Sequence, residues 1–286
     1  MLEQVGLICE GGGTKAAYTS GVLQCFLDHE LYFPYAVGIS AGAENLLPYV
    51  SRQRERLRVT GVDSASQKGA VGLSPLIHVH GVFGIEATFQ FIERNAPLDY
   101  ETFASSSTRL DIGVYNMETN QVEYYDKSYY TKNDQNLVKA ACALLLLTKP
   151  YRFLNGLYMD AGLIDMIPIE QSIRQGNRKH VFISTKEANY VRKPAPKWQL
   201  RLCSLVYPKN KAIRKNLEKR HERYQEQWDL ITRLEKEGKA LVLRPSADYG
   251  ITRYTNDQEA LQKWFDLGYR DTKERLDQII RFVSEE

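Results

Sequence analysis

Two short apolar segments near the N-terminus each end at a turn and continue directly into a segment with helix-like apolar spacing. The first covers residues 5–9 and precedes Gly11, Gly12 and Gly13, and the second covers residues 35–39 and precedes Ser40. A strand that turns directly into a helix is the repeating unit of a parallel sheet with helical crossovers. The sequence therefore predicts an α/β fold with a mainly parallel central sheet and helices on both of its faces.

Later segments extend this scheme. Residues 109–115 and 121–125 are rich in β-formers and flank a short polar turn, which predicts an antiparallel hairpin at the edge of the sheet. Residues 61–84 are rich in glycine and serine and predict an irregular excursion over the sheet. The other predicted elements are helices over 136–147, 168–175, 208–237 and 257–283, and strands over 157–159, 181–184 and 240–243.

The chain has 286 residues, of which 43% are hydrophobic and 26% are charged. A chain of this size and composition closes around one core. We therefore expect a single domain over residues 1–286, with a catalytic core over 1–190 and a C-terminal helical extension over 191–286 that adds one strand.

Charge, hydropathy and cysteine content exclude several classes of function. The formal net charge of +3 is too small to indicate nucleic-acid binding, and the longest nearly unbroken apolar run covers residues 140–147. A membrane-spanning helix needs roughly 20 apolar residues, and the N-terminus lacks the pattern of a secretory signal, so we expect a cytoplasmic protein without a transmembrane segment. The four cysteines form no CxxC pair, which favours reduced thiols and predicts neither a metal nor another cofactor.

The sharpest local motif is a GxSxG sequence, Gly38-Ile39-Ser40-Ala41-Gly42, at a predicted junction between a strand and a helix. A serine on such a turn projects its hydroxyl, and the flanking glycines give the crowded backbone room. The positive end of the following helix also points toward the serine, where negative charge develops during acyl transfer. The motif predicts that Ser40 is a nucleophile, although an ordinary turn can carry the same sequence.

A second motif, Gly11-Gly12-Gly13, lies at the preceding strand-to-helix junction. Consecutive glycines let backbone amides converge on an oxyanion or on a phosphate. Gly11, Gly13 and Ala16 also match the GxGxxG/A pattern of dinucleotide sites, but the next strand ends at Ser40 instead of the acidic residue that such sites need. This mismatch favours an oxyanion site over a nucleotide site.

A third motif, Asp160-Ala161-Gly162, follows the predicted strand over residues 157–159. Read in isolation, an aspartate before small residues is typical of a turn or a helix cap. Read together with the other two motifs, Asp160 becomes a candidate base.

These three motifs, in this order, resemble those of the patatin-like phospholipases, a family with a glycine-rich oxyanion loop, a GxSxG nucleophile and a Ser-Asp dyad that lacks histidine. The resemblance implies a nucleophilic Ser40, a basic Asp160, oxyanion amides at Gly11, Gly12 and Gly13, and supporting roles for Lys15, Gly38, Gly42 and Gly162. It extends to Asp165 and Pro168, which match a following D-x-x-P pattern, and to residues 244–246 and 267–269, which resemble the C-terminal region of bacterial members. The implied function is hydrolysis of a fatty acyl ester in a phospholipid or lysophospholipid.

The chain departs from the family pattern at several positions. Lys15 and Ala16 stand where the family usually has Arg-Gly, which keeps the positive charge but loses the bidentate guanidinium. Ala161 replaces the first glycine after the aspartate. Residues 140–147 lack the serine and proline that usually lead to the aspartate, which affects substrate choice more than catalysis.

Two other classes of function remain open. A non-catalytic lipid- or acyl-binding module would keep the pocket without the chemistry. A Ser-His-Asp esterase would need His180 or His221 to follow the acid, but His180 opens a predicted core strand and His221 lies in a basic helix. His78 and His80 alternate in a glycine-rich segment without partner ligands at metal-site spacing, which favours a structural role.

Basic residues concentrate between Arg192 and Arg223, where Glu218 and Glu222 are the opposing acids. Such a stretch is either a solvated helix face or a surface that contacts anionic lipid headgroups. The second alternative predicts peripheral contact with a membrane surface.

Overall fold

The computed structural model describes residues 4–67, 70 and 84–285. Its strands are β1 (Val5–Cys9), β2 (Tyr35–Ile39), β3 (Arg109–Asn116), β4 (Val122–Asp126), β5 (Tyr151–Phe153), β6 (Gly156–Asp160), β7 (Lys179–Ile183) and β8 (Ala240–Leu243). Its α-helices are α1 (Ala17–Asp28), α2 (Ala41–Val50), α3 (Arg54–Arg58), α4 (Ser64–Ser66), α5 (Ile85–Asn95), α6 (Tyr100–Ser105), α7 (Asn136–Ala141), α8 (Ile169–Arg174), α9 (Lys197–Val206), α10 (Lys211–Lys236), α11 (Gln258–Glu274) and α12 (Leu276–Ser284).

Within these residues, eight strands form one mixed sheet with the order β5-β6-β3-β2-β1-β7-β8, and β4 also pairs with β3. The five neighbouring strands β3, β2, β1, β7 and β8 are parallel, which confirms the predicted mainly parallel sheet. The predicted hairpin is present as β3 and β4. The antiparallel region is larger than predicted, because β6 pairs with β3 and β5 pairs with β6.

Side chains alternate between the two faces of the central strands, as the pleat of a β-sheet requires. Leu7, Val181 and Leu241 belong to the core beneath α1, α2 and α11. Ile8, Phe182 and Val242 belong to the opposite core, which contains residues of α8 and α10. Helices therefore cover both faces, as the sequence predicts.

The C-terminal helix α11 packs closely on α1. A Cβ atom built on Gly21 would lie 1.9 Å from the carbonyl oxygen of Phe265, and one built on Gly268 would lie 2.2 Å from that of Tyr18. The indole of Trp264 also donates a hydrogen bond of 2.9 Å to the Lys15 carbonyl, next to the glycine loop. Helix α11 thus contacts both α1 and the segment that follows the glycine loop.

The prediction of one helix over residues 136–147 was wrong. Helix α7 ends at Ala141, and the leucines that follow lie in a loop in which Leu146 has a positive φ of 66°. This loop is anchored because the Asp160 amide donates a hydrogen bond of 2.9 Å to the Ala143 carbonyl. A run of leucines is compatible with a buried helix or with a loop over a cavity, and the sequence pattern does not separate the two.

Other predictions need smaller corrections. The predicted helix over 257–283 is divided into α11 and α12 at Arg275, and helix α9 was not predicted. The predicted excursion over 61–84 begins in a helical segment, since a π-helix covers Val59–Asp63 and α4 follows it. His78 and His80 lie outside the described residues. No helix in the described part of the chain is long and apolar enough to cross a membrane.

Candidate active site

Ser40 occupies the sharp turn between β2 and α2. Its φ of 55° and ψ of −133° are strained for a residue with a side chain, and its carbonyl accepts a hydrogen bond of 2.9 Å from the amide of Ala43. A Cβ atom on Gly38 would lie 2.6 Å from Ala43, and one on Gly42 would lie 2.5 Å from the Cys9 carbonyl. Both glycines are therefore required by close backbone contacts, as the GxSxG motif predicts.

Strand β3 brings Ser40 and Asp160 together. Ile39, which precedes Ser40, pairs with Gly113, whereas Asp160 pairs with Val114, the next residue of the same strand. The Ser40 hydroxyl lies close enough to the Asp160 carboxylate to oppose the rise in the pKa of that carboxyl. Two residues 120 positions apart in the sequence thus meet because β2 and β6 share one neighbouring strand.

The Asp160 carboxyl is buried, with 6% of the residue exposed. Burial raises its pKa above the ordinary value of an aspartate, whereas the hydrogen bond from the Gly162 amide, the nearby Ser40 hydroxyl and the charge of Arg220 oppose this shift. The Gly162 amide lies 2.7 Å from Asp160 Oδ1, and the Arg220 side chain donates to the Gly162 carbonyl. This arrangement fixes the carboxylate and increases its basicity relative to an exposed aspartate.

The glycine loop runs beside Ser40. A Cβ atom on Gly11 would lie 2.8 Å from the Ser40 Cβ, and one on Gly12 would lie 2.6 Å from Thr185 Oγ1. Gly13 has a φ of 57°, in the left-handed region that favours glycine. Hydrogen bonds among the described residues use the flanking amides of Glu10 and Thr14 but not those of the three loop glycines. These amides remain available to an anion.

A buried ion pair between Lys186 and Glu10 contacts the glycine loop. Lys186 Nζ lies 3.3 Å from Glu10 Oε1 and donates a hydrogen bond of 3.1 Å to the Gly11 carbonyl. The same Glu10 oxygen accepts hydrogen bonds from the Thr185 amide and the Ser184 hydroxyl. Burial lowers the pKa of Lys186 to about 8, although Glu10 opposes the shift. This network positions the loop.

Lys15, which was predicted to support the site, lines its cavity. Its ammonium group forms an ion pair of 2.9 Å with Glu187, and it lies 5.7 Å from the centre of the Trp264 ring. Its charge is therefore largely balanced within the protein.

Two cavities meet at Ser40. The apolar cavity is lined by small and apolar side chains and by the carboxyl group of Glu44; its walls include Ala17, Ala65, Ile85, Phe89, Cys142 and Leu144. The cationic cavity has a volume of about 450 Å³ and contains the glycine loop and Asp160. The basic side chains in its walls are Lys15, Lys186, Arg192, Arg220 and Arg253. It adjoins a wider cavity of about 590 Å³ that extends to Trp198 and Leu202.

The candidate histidines of a triad do not contact Ser40 in the described structure. His180 is buried in β7, where its Nδ1 lies 3.0 Å from the Ser172 hydroxyl, and burial lowers its pKa to about 4. His221 lines the wider cavity, but its Nδ1 lies 3.1 Å from the Glu218 carbonyl. This geometry favours the dyad over the triad.

Sequence reasoning did not single out several residues of this site. Glu44, Leu144, Lys186 and Arg253 carried no motif, and Arg220 was counted only within the basic stretch. For Arg220 a signal was present, because Leu217, Arg220 and Tyr224 share one face of α10 at helical spacing. Arg253 lies in a loop, where spacing gives no such signal.

Two family models match this chain. A family model described as patatin-like phospholipase matches residues 7–173, and a second, described as a domain of unknown function (DUF6363), matches residues 210–284. The chain is 27% identical over 190 residues to the uncharacterized protein YjjU of Escherichia coli (strain K12), a match that covers 64% of this chain and 52% of YjjU. The chain thus spans about half the length of this curated relative.

Among solved structures, the chain is similar to VipD from Legionella pneumophila, with a TM-score of 0.48 and 14% sequence identity. This match covers 96% of the chain and 67% of VipD. In this chain, Ser40 and Asp160 fall within the first matched family segment, whereas Arg220 and Arg253 fall within the second.

Proposed function

The chain belongs to the patatin-like phospholipase family, and we propose that it hydrolyses lipid acyl esters with Ser40 as the nucleophile and Asp160 as the base. The observation that carries this proposal is the proximity of the two side chains, which strand β3 brings together at a strained, buried turn. The same turn faces the free amides of the glycine loop. A serine needs both an adjacent base and oxyanion donors to act on an ester.

The proposed reaction has two halves. Ser40 Oγ attacks the ester carbonyl carbon while its proton passes to the Asp160 carboxylate. The tetrahedral intermediate then collapses, the bond to the leaving alcohol breaks, and Asp160 returns the proton to that alcohol. Water then attacks the acyl-serine while Asp160 again accepts a proton. Collapse of the second intermediate breaks the bond between the acyl carbon and Ser40 Oγ, Asp160 returns the proton to Oγ, and the fatty acid is released.

The carbonyl oxygen becomes negatively charged in both intermediates. Gly11, Gly12 and Gly13 are the proposed donors to this oxyanion, because their amides lie beside Ser40 and are not used by the described protein groups. The N-terminal end of α2 adds a favourable dipole at the same point. Lys186 and Glu10 position the loop without contacting the reacting atoms.

The proposed substrate is a phospholipid or lysophospholipid. The apolar cavity has a volume of about 90 Å³ and suits the part of the acyl chain next to the ester, since most of its exposed wall surface is apolar. We further propose that residues 1–286 act as one domain, because α11 packs closely on α1 and the loop with Arg253 lines the cationic cavity. The cytoplasmic location expected from the sequence stays a prediction.

Helix α9 is the proposed point of contact with a lipid surface. Trp198, Leu205 and Val206 of this helix are 65%, 77% and 50% exposed, and Lys197 and Arg201 lie exposed among them. Apolar side chains flanked by basic ones suit an anionic lipid interface. Trp198 and Leu202 also line the wider cavity, so a lipid that enters there lies on a path toward Ser40.

Turnover of a lipid panel by purified protein tests the proposed function. Wild-type protein should release fatty acid from at least one phospholipid or lysophospholipid, and Ser40→Ala should not. Fatty-acid release by Ser40→Ala at the wild-type rate would contradict the assignment. Tight lipid binding without turnover by either protein would favour the non-catalytic binding module.

A further inference from the structure

Three guanidinium groups converge beside Asp160. Arg192 lies in the loop after β7, Arg220 on α10, and Arg253 in the loop before α11, and all three line both the cationic cavity and the wider cavity. In the described part of the chain, no carboxylate forms an ion pair with any of them. The acidic side chains that share the cationic cavity are Asp160 and Glu10, and Glu10 is paired with Lys186.

These groups are held in place by other contacts. The Arg192 guanidinium lies 4.5 Å from the centre of the Tyr224 ring, and its Nε is buried without a hydrogen-bond partner among the described residues. The Arg253 backbone is fixed because its carbonyl accepts a hydrogen bond of 3.3 Å from the Thr14 amide. The Arg220 side chain donates to the Gly162 carbonyl. The fold therefore positions the side chains of Arg192 and Arg220 and the backbone of Arg253.

Holding three like charges together is unfavourable unless an anion joins them. Burial and the charges of Arg192 and Arg253 together lower the pKa of Arg220 to about 9, although Asp160 opposes the shift. The nearby lysines do not form part of this unbalanced cluster, because Lys15 is paired with Glu187 and Lys186 with Glu10. An external anion would offset the repulsion.

The geometry of the proposed reaction indicates which part of the substrate supplies this anion. The leaving alcohol must lie beside Asp160, because Asp160 returns the proton to it. The three arginines line the cationic cavity, which contains Asp160. None of them lines the apolar cavity on the other side of Ser40. A negative group on the leaving alcohol would therefore meet the guanidinium forks, which bind phosphate with paired hydrogen bonds.

We infer that Arg192, Arg220 and Arg253 form a phosphate subsite that selects acyl esters whose leaving alcohol carries a phosphate, such as a glycerol phosphate, over neutral glycerides. This inference rests on the proposed function for its substrate orientation. The subsite itself is a property of the cavity, and it is testable by ligand binding without turnover.

The first experiment compares two esters with the same acyl chain, oleoyl lysophosphatidate and mono-oleoylglycerol. The wild-type ratio of kcat/KM should favour the phosphate ester, and Arg253→Gln should reduce this ratio by about tenfold or more, as expected for the loss of a charge-assisted hydrogen bond. Arg253 is preferred to Arg220 because Arg220 contacts Gly162 and so also affects Asp160. Arg192→Gln is the second variant should Arg253→Gln fail to fold, as judged by circular dichroism.

Lys209→Gln is the matched control, since Lys209 is exposed in the same basic stretch and lines none of the described cavities. It should keep the wild-type ratio. Equal ratios in wild type and Arg253→Gln would overturn the subsite, whereas loss of turnover of both esters in Ser40→Ala is required by the proposed function and tests that function separately.

The second experiment measures binding by calorimetry to the Ser40→Ala variant, so that no turnover is involved. Glycerol 3-phosphate should bind, and its dissociation constant should rise by about tenfold or more when Arg253→Gln is added. Inorganic phosphate should bind more weakly, because it lacks the glycerol contacts. If inorganic phosphate binds as tightly as glycerol 3-phosphate, the site binds free phosphate and the substrate assignment is overturned. If neither ligand binds, the subsite is overturned even when ester hydrolysis is confirmed.

Discussion

The apolar cavity and the cationic cavity meet at Ser40, but they come from different parts of the chain. The walls of the apolar cavity come from residues before position 145, and Glu44 is the charged residue among those described there. The cationic cavity takes Arg192, Arg220 and Arg253 from the C-terminal part. The segment matched by the patatin-like model thus supplies the proposed nucleophile, base and acyl wall, while later residues supply the charges around the proposed leaving group.

This difference gives the two cavities separable roles. Changes at the point where they meet should abolish turnover of every ester. Changes in one wall should instead alter substrate choice, surface binding or stability. The predictions below test this separation.

The largest effect is expected at Asp160, which lies at the junction. Asp160→Asn should lower esterase turnover by at least about 10³-fold, close to the loss in Ser40→Ala, because the serine loses its base. The variant should remain folded, since an asparagine oxygen can still accept the Gly162 hydrogen bond. Steady-state kinetics on one ester measures both variants.

His180→Ala and His221→Ala are the matched controls for the dyad. Each should retain turnover within a few-fold of wild type, because neither ring contacts Ser40 or Asp160 in the described structure. A loss of several orders of magnitude in either variant would instead support a triad.

The next largest effect is expected in the glycine loop. Gly12→Ala should reduce kcat by about 10²-fold, since the added Cβ would lie 2.6 Å from Thr185 Oγ1 and would displace an oxyanion donor. The variant should keep the tryptophan fluorescence and nearly the thermal midpoint of the wild type, which shows that the loss of kcat is not caused by unfolding. An unchanged kcat would remove this loop from the proposed oxyanion hole.

A smaller effect is expected for surface binding by α9. Lys197→Gln combined with Arg201→Gln should weaken binding to anionic vesicles by roughly tenfold at low salt, because each basic residue near such a surface contributes about 1 kcal/mol. The difference should shrink as salt rises. Co-sedimentation measures it, and Lys215→Gln combined with Lys219→Gln removes the same charge from α10 as a control. Equal binding of all proteins to anionic and neutral vesicles would contradict electrostatic docking.

The smallest effect concerns Glu44 in the apolar cavity. Burial raises the pKa of Glu44 to about 7, although Arg56 opposes the shift, and its Oε1 has no partner among the described residues. A raised carboxyl pKa means that the stabilising protonated form is fully present below the ordinary value and is lost as pH rises through about 7. Glu44→Gln should therefore melt about 2 °C or more above wild type near pH 8.5, and this gap should narrow near pH 5.

Differential scanning calorimetry at both pH values measures the gap. Glu222→Gln, which removes an exposed carboxylate from α10, should show no comparable pH dependence. A Glu44→Gln gap that is independent of pH would show that the carboxyl is not protonated in the folded wild-type protein.

The local parts of the site were predictable from the sequence because they depend on short-range geometry. Contacts within the turn and with the adjacent strand require Gly38 and Gly42 around Ser40 and the three glycines after β1. The spacing of these glycines therefore predicts the turn and the glycine loop. The meeting of Ser40 with Asp160 depends on the pairing of β6 with β3. No local pattern encodes that pairing, and it was available only through the family resemblance.

The roles of the basic residues between Arg192 and Arg223, in contrast, were not predictable from the sequence. These residues were treated as one surface, yet Arg192 and Arg220 line the cationic cavity whereas Lys197 and Arg201 are exposed on α9. Charge density in the sequence does not show which side of a helix faces the core. Helix α9 was missed because residues 197–206 were included in this charged stretch and its beginning was placed in a loop.

Labelling with a fluorophosphonate probe tests the central claim most directly, since the probe reacts with an activated serine without requiring knowledge of the natural lipid. Mass spectrometry should find the label on Ser40 in wild-type protein, no label in Ser40→Ala, and labelling at least about 10²-fold slower in Asp160→Asn. Labelling of Asp160→Asn at the wild-type rate, or no labelling of Ser40 in folded wild-type protein, would contradict a Ser40–Asp160 dyad.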